Sequence, residues 1–170
     1  SNTITAGVCT GLGLSPARIG EVIGITKAYC TRVGSGPFPT ELENEAGEFL
    51  RKEGQEFGAT TGRPRRCGWL DIPQLKYTIM LNGVTQIVVT KIDVLNNFET
   101  IQMAASYILD GKSTDEVPYD MCKYDIGMGL EEFKGWKSSL EGIGRFEDLP
   151  ERARIYLEAM EAYLGVPITM

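Results

Sequence analysis

Histidine is missing altogether from the 170 residues. Its absence excludes mixed cysteine–histidine zinc sites and removes the side chain that most often moves protons near neutral pH. The four cysteines, Cys9, Cys30, Cys67 and Cys122, form no Cys-x-x-Cys pair, so they read as reduced, partly buried small residues. No apolar run approaches the roughly 20 residues that cross a bilayer. The start also lacks the basic-then-apolar order of a secretory leader, and the expectation is a cytoplasmic protein with no membrane partner. Positive charge is scarce too: 17 basic against 23 acidic side chains leave a net charge of −6, which argues against nucleic acid as a partner. With no repeat, low-complexity tract or linker, one domain is expected, and 42% hydrophobic composition supplies its core.

Punctuation and periodicity predict alternating strands and helices, hence an α/β fold: a partial mixed or parallel sheet flanked by helices. Ser15-Pro16 opens a short helix, and the β-branched and aromatic run from Val22 to Val33 reads as one strand ending in the turn Gly34-Ser35-Gly36-Pro37. Thr40 and Glu43 form a capping box for a helix with Leu42, Ala46, Phe49 and Leu50 on its apolar face and Gly54 at its end. Asp71 and Pro73 start a helix to about Met80, and Asn82-Gly83 turns the chain into a buried strand, Thr85 to Val89. Thr100 to Leu109 reads as a strand and Asp110-Gly111-Lys112 as a turn, followed by irregular surface as far as Phe146. Asp148 and Glu151 cap a last helix whose buried face includes Tyr156, Met160 and Tyr163, closed by Gly165. Val166 to Met170 reads as a strand cut short, and the whole as a piece of a larger enzyme.

The most informative segment is Gly58-Ala59-Thr60-Thr61-Gly62-Arg63-Pro64-Arg65-Arg66-Cys67-Gly68-Trp69. Too glycine-rich for a helix, it reads as a loop that holds anions. Guanidinium forks match carboxylate or phosphate two bonds at a time, and threonine hydroxyls and open backbone amides serve the remaining oxygens. Pairing of the arginines with acidic neighbours is the alternative, although it needs neither the glycines nor the threonine pair. Thr90-Lys91-Ile92-Asp93 follows the apolar run Ile87-Val88-Val89, at a strand's carboxyl end, where open α/β sheets bind ligands. A carboxylate there accepts two hydrogen bonds from the ring NH and exocyclic amine of guanine, and the lysine stem lies along the base. A solvated lysine beside a capping aspartate is the alternative reading. Val33-Gly34-Ser35-Gly36-Pro37 reads either as a close backbone approach to a ligand or as a plain turn. Gly111-Lys112-Ser113 matches only the tail of a phosphate loop, because Ser106 stands where glycine is required.

Taken in order, Gly11-Leu12-Gly13, then Thr31-Arg32-Val33-Gly34 with Gly36 through Leu42, then Glu56 through Asp71, then Thr90 through Leu95 resemble the carboxyl-terminal part of the adenylosuccinate synthetases, and the likeness runs across essentially the whole chain. The resemblance implies a GTP-dependent carbon–nitrogen ligase of AMP biosynthesis. It phosphorylates the 6-oxygen of IMP and displaces that phosphate with the amine of L-aspartate, forming adenylosuccinate, GDP and phosphate. It further implies magnesium and GTP as cofactors, IMP and L-aspartate as small-molecule partners, and a homodimer.

By the same resemblance, Ala59, Thr60, Thr61, Gly62, Arg63 and Arg65, in a loop spanning 58–66, would hold L-aspartate. Val33 and Arg63 would meet IMP; Arg65 would meet the GTP phosphates, and Lys91, Ile92 and Asp93, in the segment 90–93, would read its guanine. No catalytic residue and no metal ligand is expected, because the family's amino-terminal phosphate loop, its catalytic aspartate and its histidine have no counterpart in the sequence. The chain alone is therefore expected to lack ligase activity. A stand-alone nucleotide- or metabolite-binding module is the alternative.

Overall fold

The computed structural model describes residues 3–169. Its main elements are helix α1 (Ala6–Leu12), strands β1 (Ile23–Lys27) and β2 (Cys30–Arg32), helix α2 (Glu45–Glu53), strands β3 (Arg66–Gly68) and β4 (Leu70–Asp71), helix α3 (Ile72–Asn82), strands β5 (Gln86–Thr90), β6 (Thr100–Leu109), β7 (Lys112–Thr114) and β8 (Gly127–Lys134), and helix α4 (Glu151–Leu164). β1 runs parallel to β5 and β2 antiparallel to β3. β6 pairs parallel with β4 and antiparallel with β7 and β8. The architecture is the expected mixed α/β type, divided among the described residues into three small sheets.

Residues from nearly every element meet in one core. Tyr29, Leu50, Leu70, Ile101, Tyr156 and Met160 are all buried there. Phe98 lies edge-on to both Phe49 and Trp69, with ring centroids 4.9 and 5.3 Å away, and so ties α2 to the turn that follows β5. Such aromatic pairs contribute about 0.5–1.5 kcal/mol beyond their buried area. The helix α3 begins as its sequence predicts, with the Asp71 carboxylate accepting from the Gln74 backbone N–H at 3.0 Å.

Several expectations are corrected. The strand read from Val22 to Val33 divides at Ala28 and Tyr29, which are both buried. Consecutive inward side chains cannot belong to one regular strand, whose residues alternate between faces. The helix read from Thr40 is capped instead by Asn44, which accepts from the N–H groups of Ala46 and Gly47 at 3.1 and 3.2 Å. Thr40 is buried in extended chain against β3, its carbonyl accepting from the Trp69 N–H at 3.1 Å. The stretch read as irregular between Lys112 and Phe146 contains β7 and β8. Most of β8 faces solvent, so it carries little periodic signal and is held by its ladder with β6. Asp148 pairs with Arg145 rather than capping α4, whose N-cap is Pro150. Tyr163 is half-buried and donates its hydroxyl to Glu131 instead of filling the core. The helix α1 was not expected; it is tied to the end of α3 by the Thr5 N–H, 2.9 Å from Asn82 Oδ1. Of the final strand, Ile168 bridges in parallel to Ile87, and Met170 lies outside the described residues.

Candidate functional site

The site begins where α2 ends. Gly54 packs so tightly that a Cβ there would lie 2.1 Å from the Tyr29 hydroxyl. The next residue, Gln55, takes a left-handed conformation with φ 51°, and the chain then turns Glu56 inward. The Glu56 side chain is completely buried. Its Oε1 accepts from Lys27 Nζ at 2.7 Å, the Tyr29 hydroxyl at 2.6 Å and Lys91 Nζ at 3.2 Å, while Oε2 accepts from Arg65 Nη1 at 2.7 Å. Burial by itself would raise the pKa of this carboxyl, but the bonds from Lys27, Tyr29 and Arg65 hold it down at about 2. Burial and the neighbouring carboxylate push the Tyr29 hydroxyl far above its ordinary value. Three cations on one anion leave a surplus of two positive charges, and all three cations are partly open to solvent. Such a cluster attracts anions.

The loop that follows Glu56 is closed at its base. Phe57 and Pro64 form an antiparallel bridge, the Gly58 N–H reaches the Arg63 carbonyl at 2.9 Å, and the Arg65 N–H reaches the Glu56 carbonyl at 2.9 Å. Gly62, with φ 64°, turns the chain back, its N–H 2.8 Å from the Gly58 carbonyl. Ala59, Thr60, Thr61, Gly62 and Arg63 form the exposed tip, and Arg63 makes no ion pair among the described residues. The three arginines therefore have three different situations. Arg63 projects from the tip, Arg65 shares Glu56, and Arg66 is committed to structure. Arg66 forms a two-toothed pair with Glu41 and donates to the carbonyls of Gly34 and Gly36 at 3.1 and 2.9 Å. Its bonds and charge lower the Glu41 pKa. The reading of all three as anion holders is corrected for Arg66, which instead fixes the turn beside Val33, a residue exposed at the end of β2.

The segment after β5 approaches the same carboxylate from the other side. Lys91 takes a left-handed conformation, φ 56°, which sends its ammonium to Glu56 and to the Gly54 carbonyl. Non-glycine residues in this region store of order 1 kcal/mol of strain and cluster at functional sites. Ile92 through Leu95 form a 3₁₀ turn anchored by buried Val94 and Leu95, and it leaves the Asp93 carboxylate exposed. Beside it lies a largely apolar cavity of about 290 Å³, lined by Val89, Ile92, Phe146, Leu149, Ile168 and Thr169 among others. A flat base fits such a cavity chemically, with Asp93 at its mouth.

Sequence reasoning picked out the loop tip, Arg65, Lys91 and Asp93, but assigned no role to Lys27, Tyr29 or Glu56. Glu56 stands in an ordinary polar exit from a helix, Gly54-Gln55-Glu56, and nothing local marks its four partners. Among the described residues no group of three His, Cys, Asp or Glu side chains could hold a metal ion, so no step is derived through one. Nor is any helix among them long and apolar enough to cross a membrane.

The family model described as adenylosuccinate synthetase matches residues 1–170. The adenylosuccinate synthetase of Cytophaga hutchinsonii is 54% identical over 171 residues, covering 100% of this chain and 40% of the relative. That of Schizosaccharomyces japonicus is 52% identical over 169 residues, covering 99% and 39%. Among solved structures, the fully ligated adenylosuccinate synthetase from Plasmodium falciparum matches with a TM-score of 0.93 at 41% identity, covering 99% of this chain and 41% of that one. The chain thus spans about two-fifths of the length of these relatives.

Proposed function

The chain belongs to the adenylosuccinate synthetase family, and we propose that it supplies the L-aspartate loop and the guanine-reading segment of a GTP-dependent ligase. That ligase joins IMP to L-aspartate and yields adenylosuccinate, GDP and phosphate. At the loop tip, the Thr60 and Thr61 hydroxyls and the backbone amides from Ala59 to Gly62 donate to the substrate carboxylates. Arg63, the guanidinium without an internal partner, clamps one carboxylate and reaches the IMP ribose. Val33 offers its backbone to that ribose, in a turn that Arg66 holds still. Arg65 turns toward the GTP phosphates the donors that Glu56 leaves unused. Lys91 lays its stem along the guanine, Ile92 forms part of the apolar floor, and Asp93 accepts from the ring NH and exocyclic amine.

The observation that carries this reading is the junction at Glu56. Arg65, from the loop, and Lys91, from the base-reading segment, share one buried carboxylate, so the two binding segments are immediate neighbours. Magnesium and a homodimeric assembly belong to the same family reading, and no residue of this chain is assigned to hold the metal. The chain contributes binding and orientation, and no group of its own is assigned to proton transfer. Calorimetric titration with GTP and with L-aspartate, on the chain and on its Arg63→Leu and Asp93→Asn variants, tests the assignments. Arg63→Leu should weaken L-aspartate alone and Asp93→Asn guanine nucleotide alone. Adenylosuccinate formation by the purified 170-residue chain would overturn the division of labour.

A further inference from the structure

We infer that Glu56 is a positioning residue that couples the base-reading segment to the arginine loop, so that occupation of one is felt at the other. The inference rests on the proposed guanine site at 90–93. Glu56 Oε2 serves Arg65 alone, while Oε1 carries Lys27, Tyr29 and Lys91 together. A carboxylate shares its charge between both oxygens, so drawing the Lys91 ammonium toward a bound base leaves more of that charge to Arg65 and Lys27. The Arg65–Glu56 pair then tightens, and by linkage an anion that pulls Arg65 away tightens the hold on Lys91.

The backbone carries the same connection. The Glu56 carbonyl accepts from the Arg65 N–H at 2.9 Å, and the next pair inward, Phe57 and Pro64, closes the loop. Left-handed Gln55 and Lys91 hold their ends of the contact in conformations with little freedom to relax. A shift of Glu56 is therefore passed to the loop base rather than absorbed. The cations themselves are no more than two-fifths exposed, which keeps the coupling from being screened away by solvent.

The test uses guanosine, which has no phosphate that could touch Arg65 directly, titrated into the isotopically labelled chain while backbone amide resonances are followed. In the wild type, guanosine should shift the resonances of 90–93 and, less strongly, those of 59–65, whereas adenosine should shift neither. Glu56→Gln should keep the response at 90–93 and reduce that at 59–65 at least fivefold. Glu56→Asp retains the charge, and with it a better chance of folding, but it cannot span both partners. It should show the same loss of loop response. An undiminished loop response in either folded variant would overturn the inference while leaving the guanine site intact. No response at 90–93 in the wild type would overturn the guanine assignment, and the coupling with it.

Discussion

Arg65 and Lys91 meet on the two oxygens of one buried carboxylate, Arg65 Nη1 2.7 Å from Oε2 of Glu56 and Lys91 Nζ 3.2 Å from Oε1. The contact joins a loop and a strand end that are distant in sequence. It also makes the charge on Glu56 a determinant of stability as well as of site geometry.

The first consequence is a pH dependence with a defined sign. The Glu56 carboxyl titrates at about 2 in the folded chain against an ordinary 4.5. A group depressed on folding contributes stability above its unfolded value and loses it as pH falls toward the folded one. Between those values the wild type should therefore lose roughly 3 kcal/mol from this group. Glu56→Gln has nothing to titrate there. The difference in urea midpoint between the two proteins should shrink across the window, and a constant difference would contradict the assignment.

Asp93→Asn should abolish base discrimination without unfolding the chain, because Asp93 is exposed and sits on a turn anchored by Val94 and Leu95. Loss of a correctly paired carboxylate costs about 1–3 kcal/mol, which predicts a guanosine affinity at least several-fold weaker and no longer distinct from that for inosine. Nucleoside titration monitored by calorimetry or by amide resonances measures it.

Arg63→Leu should leave stability within about 0.5 kcal/mol, since the side chain has no internal ion pair to lose. L-Aspartate binding should fall about tenfold or more, because a clamped carboxylate loses a charge-assisted pair worth about 1.5–3 kcal/mol. Thermal unfolding and ligand titration on the same sample separate the two effects.

Gly54→Ala should destabilise the chain for a steric reason alone. The glycine has an ordinary φ of −74°, but its Cβ would lie 2.1 Å from the Tyr29 hydroxyl and 2.7 Å from the Leu50 carbonyl. Overpacking of this kind costs roughly 1–3 kcal/mol. Because Tyr29 donates to Glu56, the displaced hydroxyl should also loosen the Lys27 and Lys91 contacts. A urea midpoint equal to the wild type would contradict the packing described at the end of α2.

Much of the fold is set by short-range chemistry. Asp71 with Pro73 and Asn82-Gly83 delimit α3, the apolar run before Thr90 makes β5, and the spacing of Tyr156 and Met160 makes α4. The loop tip and the base-reading segment are likewise legible, because glycine, arginine and a strand-end carboxylate declare their chemistry locally. What the tertiary structure decided is which charges face a ligand and which face each other. Arg66 is identical in kind to Arg63, yet one is spent on Glu41 and the turn at Gly34 while the other is free at the tip. Glu56 acquires its role only because Lys27, Tyr29, Arg65 and Lys91 converge on it from four separate stretches of chain. A carboxylate is buried only where its partners make up for the lost water, and partners so far apart in sequence are brought together by packing of the core.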